Sequence, residues 1–595
     1  MTTIKERLDA LRREMKAANV QAYIVPTSDF HDTEYVCDYF TARKYLSGFT
    51  GSAGTLVVCA DQAALWTDGR YFIQAASQLE GTGIELMKMG MEGTPEIPEY
   101  ICAHLKAGDT AGFDGRTVNV QEARKYERIF AAHGLKIDEN LDLISKIWDD
   151  RPSLPHTPTF HYGLEHTGEE MDHKLGRVRE AMKKEGAQHL IVTKIDEVAW
   201  LYNLRANDIP SFPVALAYSI VSGDKAAIYI DDSRLDERSR ALFGQHHIAI
   251  RPYDAIYEDV KTLKGTTWID PSTINAALVS LLEAPLYEAF SPIVLMKSMK
   301  NEVELENTRE AHLKDGAACV KFMYWLKNSD PESMDELSAA AYLHERRQEQ
   351  KDYIEDSFNT ICAYGPNAAM MHYSATEQSF SKLAGKGMLL VDSGGHYLDG
   401  TTDITRTYVL GPITNEERYW FTKALRSHIR LEKAHFLYGC RGLNLDILAR
   451  GPLWDEDMDY QCGTGHGVGH LLSVHEAPNG FRWKIVPERN DSAILEEGML
   501  QSNEPGVYEE GKFGIRHENE MVVRKGNKNK YGQFMHFENL TFVPFDVDGI
   551  DLSLMNDDEI AWLNDYHEQV YEKISPRLNA QEAQWLYKVT RPLEK

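Results

Sequence analysis

Long apolar runs are missing from this 595-residue chain: nowhere do about 18 consecutive apolar residues occur, the length a bilayer-crossing helix needs. Runs rich in Lys and Arg are missing too. With 64 basic against 91 acidic residues and a net charge of −27, nucleic acid and anionic membrane surfaces are excluded as partners. Cysteine is sparse and odd in number, seven in all, in apolar settings such as VVCA (57–60) and ICAH (101–104). That argues for reduced thiols rather than a disulfide framework. The opening MTTIKERLDALRREMKAANV lacks the apolar core and small-residue cleavage site of a secretory signal. It reads instead as an amphipathic helix with Ile4, Leu8, Leu11 and Met15 on one face. The expected compartment is the cytoplasm.

What is present is ordinary for a globular protein, 43% hydrophobic and 26% charged residues. The length exceeds one core, so about two to four domains are expected. The proline-rich RPSLPHTPTF (151–160) reads as a linker. After it, GRVREAMKKEGAQHLIV echoes the first helix–strand unit, with Met15 and Met182, then Ile24-Val25 and Ile191-Val192, all 167 residues apart. Two α/β domains of similar topology are therefore expected. A second boundary falls near 291–312, where Asn301 and Glu304 have capping-box spacing ahead of a long helix carrying Leu313, Ala317, Val320 and Tyr324. The expected divisions are 1–155, 160–300, 301–540 and a tail, 541–595, packed on the preceding domain or on a partner subunit.

Between about 355 and 525, strands and glycine turns alternate, and four stretches concentrate Asp, Glu and His. MLLVDSGGHYLDGTTDITRTYVLG (388–411) offers Asp392 after an apolar run and Asp403 at the start of another, a hairpin's length away. CGTGHGVGHLLSVHE (462–476) flanks His466 with glycines, which leaves room for close approach to the imidazole. QSNEPGVYEEGKFGIRHENEMVV (501–523) sets Glu504 and Glu518 on either side of a glycine-punctuated turn amid strand formers, and GPNAAMMHYSA (365–375) holds His372. Singly, each has a plain reading: a turn cap for an Asp such as Asp399, a loop for a Gly-rich His, a solvated turn for Glu before Pro. Jointly they do not, because four carboxylates converging in an apolar domain repel by several kcal/mol unless a cation compensates. Four carboxylates and one imidazole suit Mn²⁺, with Zn²⁺ or Co²⁺ as alternative occupants. Five donors exceed the needs of one catalytic ion; two ions about 3.5–4 Å apart would use them all.

GTTDITRT, GTGHGVG, VHE and EPGVYEEGKFGIRHEN together resemble the creatinase-fold metallopeptidases. Within them, the chain is most similar to the long, three-domain aminopeptidase P branch. YLSGFTGSAGTLVV (45–58) and ALWTDGRYF (64–72) resemble that branch's first domain, and VDGIDLSLMNDDEIAWLNDYHEQV its C-terminal extension. The resemblance implies an α/β (α+β) chain: two creatinase-like N-terminal domains, then a pita-bread catalytic domain with a short extension. It implies a dinuclear ligand set of Asp392, Asp403, His466, Glu504 and Glu518, with His372 and His475 beside it. The implied activity is hydrolysis of the N-terminal Xaa-Pro bond of peptides, with two divalent ions activating a water and a homodimer as the assembly. Glu504 would move the proton, His372 would bind the oxyanion, and His475 would hold the next carbonyl. Arg516 is a weaker candidate for substrate binding, its alternative being a salt bridge to a neighbouring carboxylate. Cys462 departs from the His of related HGTGHG strings, and His470 is expected to be structural. The competing expectations are an Xaa-Pro dipeptidase, and a metal-free peptide- or protein-binding relative that kept only the fold.

Overall fold

The computed structural model describes residues 2–486 and 491–595. The chain divides into two compact units, 1–163 with 169–294, and 164–168 with 295–595. The first begins with the helix Ile4–Ala17, started by a Thr3–Glu6 capping box and burying Leu8, Leu11 and Met15. These pack with Tyr23 and Val25, while Ala22 and Ile24, on the other face of the same strand, pack with Val57, Ala64 and Trp66. A strand buried on both faces reads as a continuous apolar run, as AYIV does.

Two six-stranded sheets form the first unit, and their wiring is the same. In order, the first runs Glu85–Lys88, Ala63–Thr67, Thr55–Cys59, Ala22–Pro26, Thr110–Gly112, Lys136–Asp138. The second runs Ile248–Arg251, Ala226–Tyr229, Tyr218–Ser222, His189–Val192, Thr267–Ile269, Leu286–Glu288. Each has the same succession of parallel and antiparallel neighbours. The helices Ile4–Ala17 and Met171–Lys184 stand 167 residues apart at both ends, so the sequence echo is a true structural repeat. Residues 151–159 between the halves have no regular structure.

The second unit positions the chemistry. Asn301 caps the helix Glu302–Asn328 through a reciprocal box with Glu304. That helix packs beside Glu336–Gln348, and Asn415–Glu432 packs beside Gly442–Trp454. The helices pack against strands of sheets that include a three-stranded one (Ile361–Tyr364, Met388–Ser393, Ile404–Val409) and a six-stranded one. The latter runs His435–Leu437, Gly532–Asn539, Asn519–Asn529, Leu500–Asn503, Gly465–Gly467, Glu476–Phe481. This is the pita-bread arrangement. The tail helix Asp557–Ile574 lays Ile560, Leu563, Tyr566, Val570 and Ile574 into the core of this unit with Phe421, Leu425, Phe542 and Phe545. Among the described residues no helix is long and apolar enough to cross a membrane.

Candidate metal centre

The five acidic and histidine candidates come from strands of these two sheets or from the residues that border them. Asp392 lies in Met388–Ser393 and pairs across the hairpin with Thr405, so Asp403, just before Ile404–Val409, returns beside it. Glu504 and Glu518 flank a small hairpin, Gly506–Glu509 with Phe513–Arg516. The strands beyond it pair Asn503 with Asn519, which brings the two glutamates back to one place. His466 occupies the neighbouring strand Gly465–Gly467. Ligand atoms of Asp403, His466 and Glu518 all lie within 4.8 Å of one another. His466 Nε2 is 3.5 Å from Asp403 Oδ2 and 3.2 Å from Glu504 Oε1.

Each donor is aimed by a second contact. His466 Nδ1 bonds the Gly467 carbonyl at 2.9 Å, so that nitrogen carries a proton and Nε2 faces the carboxylates. Ser502 Oγ donates to Glu504 Oε1 at 3.1 Å and accepts from His466 N at 3.0 Å. Thr405 Oγ1 donates to Glu518 Oε2 at 2.7 Å, while Glu518 N donates to Thr405 O at 3.1 Å, stitching one sheet to the other. The glycines around His466 have a different use from the one their spacing suggests. A Cβ on Gly465 would strike the Ser502 carbonyl, and one on Gly467 the Glu476 carbonyl. They admit neighbouring backbone.

Arg516 is buried and forms a close ion pair with Asp392. It also donates to Tyr508 Oη at 2.7 Å, Thr405 Oγ1 at 3.2 Å and Met371 O at 3.4 Å. Its salt bridge is thus the feature in view, and it ties the segment before His372 to the site. His372 and His475 are both half-buried. The His475 ring stands edge-on to His466 with centroids 4.3 Å apart. Its neighbour Glu476 is buried between Lys297 and Lys300. His470 Nδ1 bonds Thr308 Oγ1 at 3.2 Å and Nε2 bonds the His166 carbonyl at 3.1 Å, a structural placement. Burial pushes the Cys462 thiol up to about 11, so it is neutral at pH 7.

Electrostatics mark the cluster as overloaded with negative charge. Burial, offset in part by the His466 bond and augmented by the Asp392 and Glu504 charges, lifts Asp403 to about 7. Burial and the charges of Asp403, Glu504 and Asp392 lift Glu518 well above the carboxylate range. Burial also acts on Glu504, but its bond to His466, with the His466, Arg516 and His475 charges, outweighs it and holds that group down at about 2. His466 is disfavoured as a cation by burial, yet Asp403 and Glu504 hold it well above its ordinary value. Asp392 Oδ1 and Glu518 Oε1 are buried with no hydrogen-bond partner among the described residues. Orphaned carboxylate oxygens beside a poised imidazole fit divalent cations, and the donor set exceeds what one ion requires.

Thr405, Ser502 and Tyr508 were not singled out from the sequence. Thr405 carried a signal: it lies two residues beyond Asp403, the spacing that puts side chains on one face of an extended chain.

A buried carboxylate–imidazole cluster on a pita-bread scaffold defines a metal-dependent hydrolase. Models of the creatinase/prolidase N-terminal domain match residues 7–142 and 150–304. The model of metallopeptidase family M24 matches 306–525, and that of its C-terminal region 533–593. Aminopeptidase P2 of Arabidopsis thaliana is 37% identical, across 100% of this chain and 89% of its own. Xaa-Pro aminopeptidase 1 of Dictyostelium discoideum is 36% identical, across 99% and 97%. The crystal structure of X-prolyl aminopeptidase from Caenorhabditis elegans, a cytosolic enzyme with a dinuclear active site, superposes with a TM-score of 0.94 at 33% identity over the whole of both chains. The chain belongs to metallopeptidase family M24.

Proposed function

We propose that the chain is an Xaa-Pro aminopeptidase, releasing the first residue from peptides with proline in second place. The observation that carries this reading is the convergence of Asp403, His466 and Glu518 within 4.8 Å, with Glu504 and Asp392 adjoining, in a chain matched end to end by relatives of that activity. Asp392, Asp403, His466, Glu504 and Glu518 would hold two divalent ions. Manganese is the ion we assign from the hard, oxygen-rich donor set, with zinc and cobalt as alternatives. When bound, such ions lower the pKa of water and supply hydroxide at neutral pH.

The residues of the chain do the rest. Glu504 is ionised at neutral pH, and its carboxylate accepts the proton of the attacking water and delivers it to the leaving nitrogen. His372 donates to the oxygen on which charge develops, and His475 holds the carbonyl beyond the scissile bond. Arg516 orients Asp392 and, from there, borders the substrate. Proline has no N–H to offer, so recognition of the second residue relies on shape. All five donors are present, which disfavours a metal-free binding protein. We assign the domains to 1–155, 160–300, 301–540 and 541–595, and the compartment to the cytoplasm.

A homodimer belongs to the same reading. Trp454 and Trp483, with ring centroids 6.1 Å apart, are 39% and 49% exposed on an acidic protein, an apolar pair that a second copy would cover.

The test uses chelator-stripped protein and a peptide beginning Arg-Pro-Pro. Added Mn²⁺ should restore release of the first residue, and Glu504→Gln should abolish it without unfolding the chain. Cleavage of Xaa-Pro dipeptides alone would instead identify a dipeptidase; no cleavage of either would refute the proposal.

A further inference from the structure

The hairpin that bears Asp392 and Asp403 is gripped from behind by groups that do not face the site. Asp315 on Glu302–Asn328 and Arg347 on Glu336–Gln348 form an ion pair, Nε to Oδ1 at 2.7 Å and Nη2 to Oδ2 at 3.2 Å, with both side chains fully buried. One bond leaves this pair for each arm of the hairpin. Arg347 Nη2 donates to Ser393 Oγ at 3.0 Å, one residue beyond Asp392. Thr402 Oγ1, one residue before Asp403, donates to Asp315 Oδ2 in a short bond and accepts from Gly395 N at 2.9 Å. Between the arms, Lys314 grips Asp399, which makes Asp399 more than a turn cap.

A buried ion pair is poor evidence for stability, because desolvation offsets its attraction. A guanidinium fork locked on a carboxylate does fix directions, and it presents its remaining donors and acceptors rigidly. Here those directions lead to the neighbours of two ligands. Partners behind metal ligands commonly tune affinity about 10- to 100-fold.

We propose that the Asp315–Arg347 pair is a positioning device for the metal centre: through Ser393 and Thr402 it sets the separation and aim of Asp392 and Asp403. Metal affinity then depends on two residues that touch neither ion nor substrate. This rests on the reading of Asp392 and Asp403 as ligands.

Thr402→Val cuts the link and leaves the ion pair in place, whereas Thr402→Ser keeps the hydroxyl. Affinity for Mn²⁺ is measured by competition with a chromophoric chelator, alongside thermal unfolding of the metal-free protein. Thr402→Val should bind about 10- to 100-fold more weakly, and Thr402→Ser should recover most of the loss. A purely structural role would lower the melting temperature and leave the affinity of the folded protein unchanged, and that result overturns the proposal. If Thr402→Val does not fold, Ser393→Ala decides: a weakened affinity supports the device and wild-type affinity refutes it. Asp403→Asn separates the two readings, because unchanged affinity there refutes the ligand assignment itself.

Discussion

Loading the site with metal should expel protons. In the metal-free protein Asp403 sits at about 7, so it is roughly half protonated at neutral pH. Burial and the neighbouring carboxylates hold Glu518 well above its ordinary value, and Asp403 and Glu504 hold His466 above its own, which favours the protonated form of both, while Glu504 at about 2 is ionised. Cations taking these donors therefore displace protons at pH 7, that of Asp403 among them. The sign follows from the direction of the shifts. Groups raised in the metal-free state fill further as pH falls, so metal must compete harder and binding weakens. By linkage, each proton displaced changes the combined affinity by about tenfold per pH unit near neutrality, and the dependence levels off only above the raised values. Calorimetric titration with Mn²⁺ in two buffers of different ionisation heat measures the release directly. Fewer than about half a proton released would mean that the carboxylates already coexist ionised, and the argument from crowded charge would fail.

Arg516→Met leaves the buried Asp392 carboxylate without its cation, which should cost the metal-free protein about 3–5 kcal/mol and much less once metal is bound; equal melting temperatures with and without the substitution would contradict this. Leu563→Ala opens a hole where the tail helix meets the catalytic core, with Leu563 fully buried. A loss of about 2–5 kcal/mol in denaturant unfolding is expected, and no loss would mean that the tail does not belong to this core. Cys462→His should change kcat/KM by less than about tenfold, because a neutral thiol takes no part in the chemistry; complete loss of turnover would overturn that.

The repeat of the first unit was legible because helix and strand share one 167-residue offset, and hydrophobic periodicity survives divergence. The ligand residues were legible for a different reason: carboxylates among strand formers are costly, so their presence demands an explanation. The role of the glycines beside His466 was not, because the Ser502 and Glu476 carbonyls that press on them come from strands whose register no local pattern reveals. The bonds from Asp315 to Arg347 and Thr402 span 32 and 87 residues. Only packing of the two helices against the hairpin brings those groups together. Arg516 could be read as binding substrate or as pairing with a carboxylate, and its close contact with Asp392 depends on a β-hairpin folding back toward a strand more than a hundred residues earlier.

Anomalous diffraction from crystals soaked in Mn²⁺ tests the core of the account. Two peaks about 3.5–4 Å apart, enclosed by Asp392, Asp403, His466, Glu504 and Glu518, are the predicted result. Peaks elsewhere, or none among these five side chains, would contradict it.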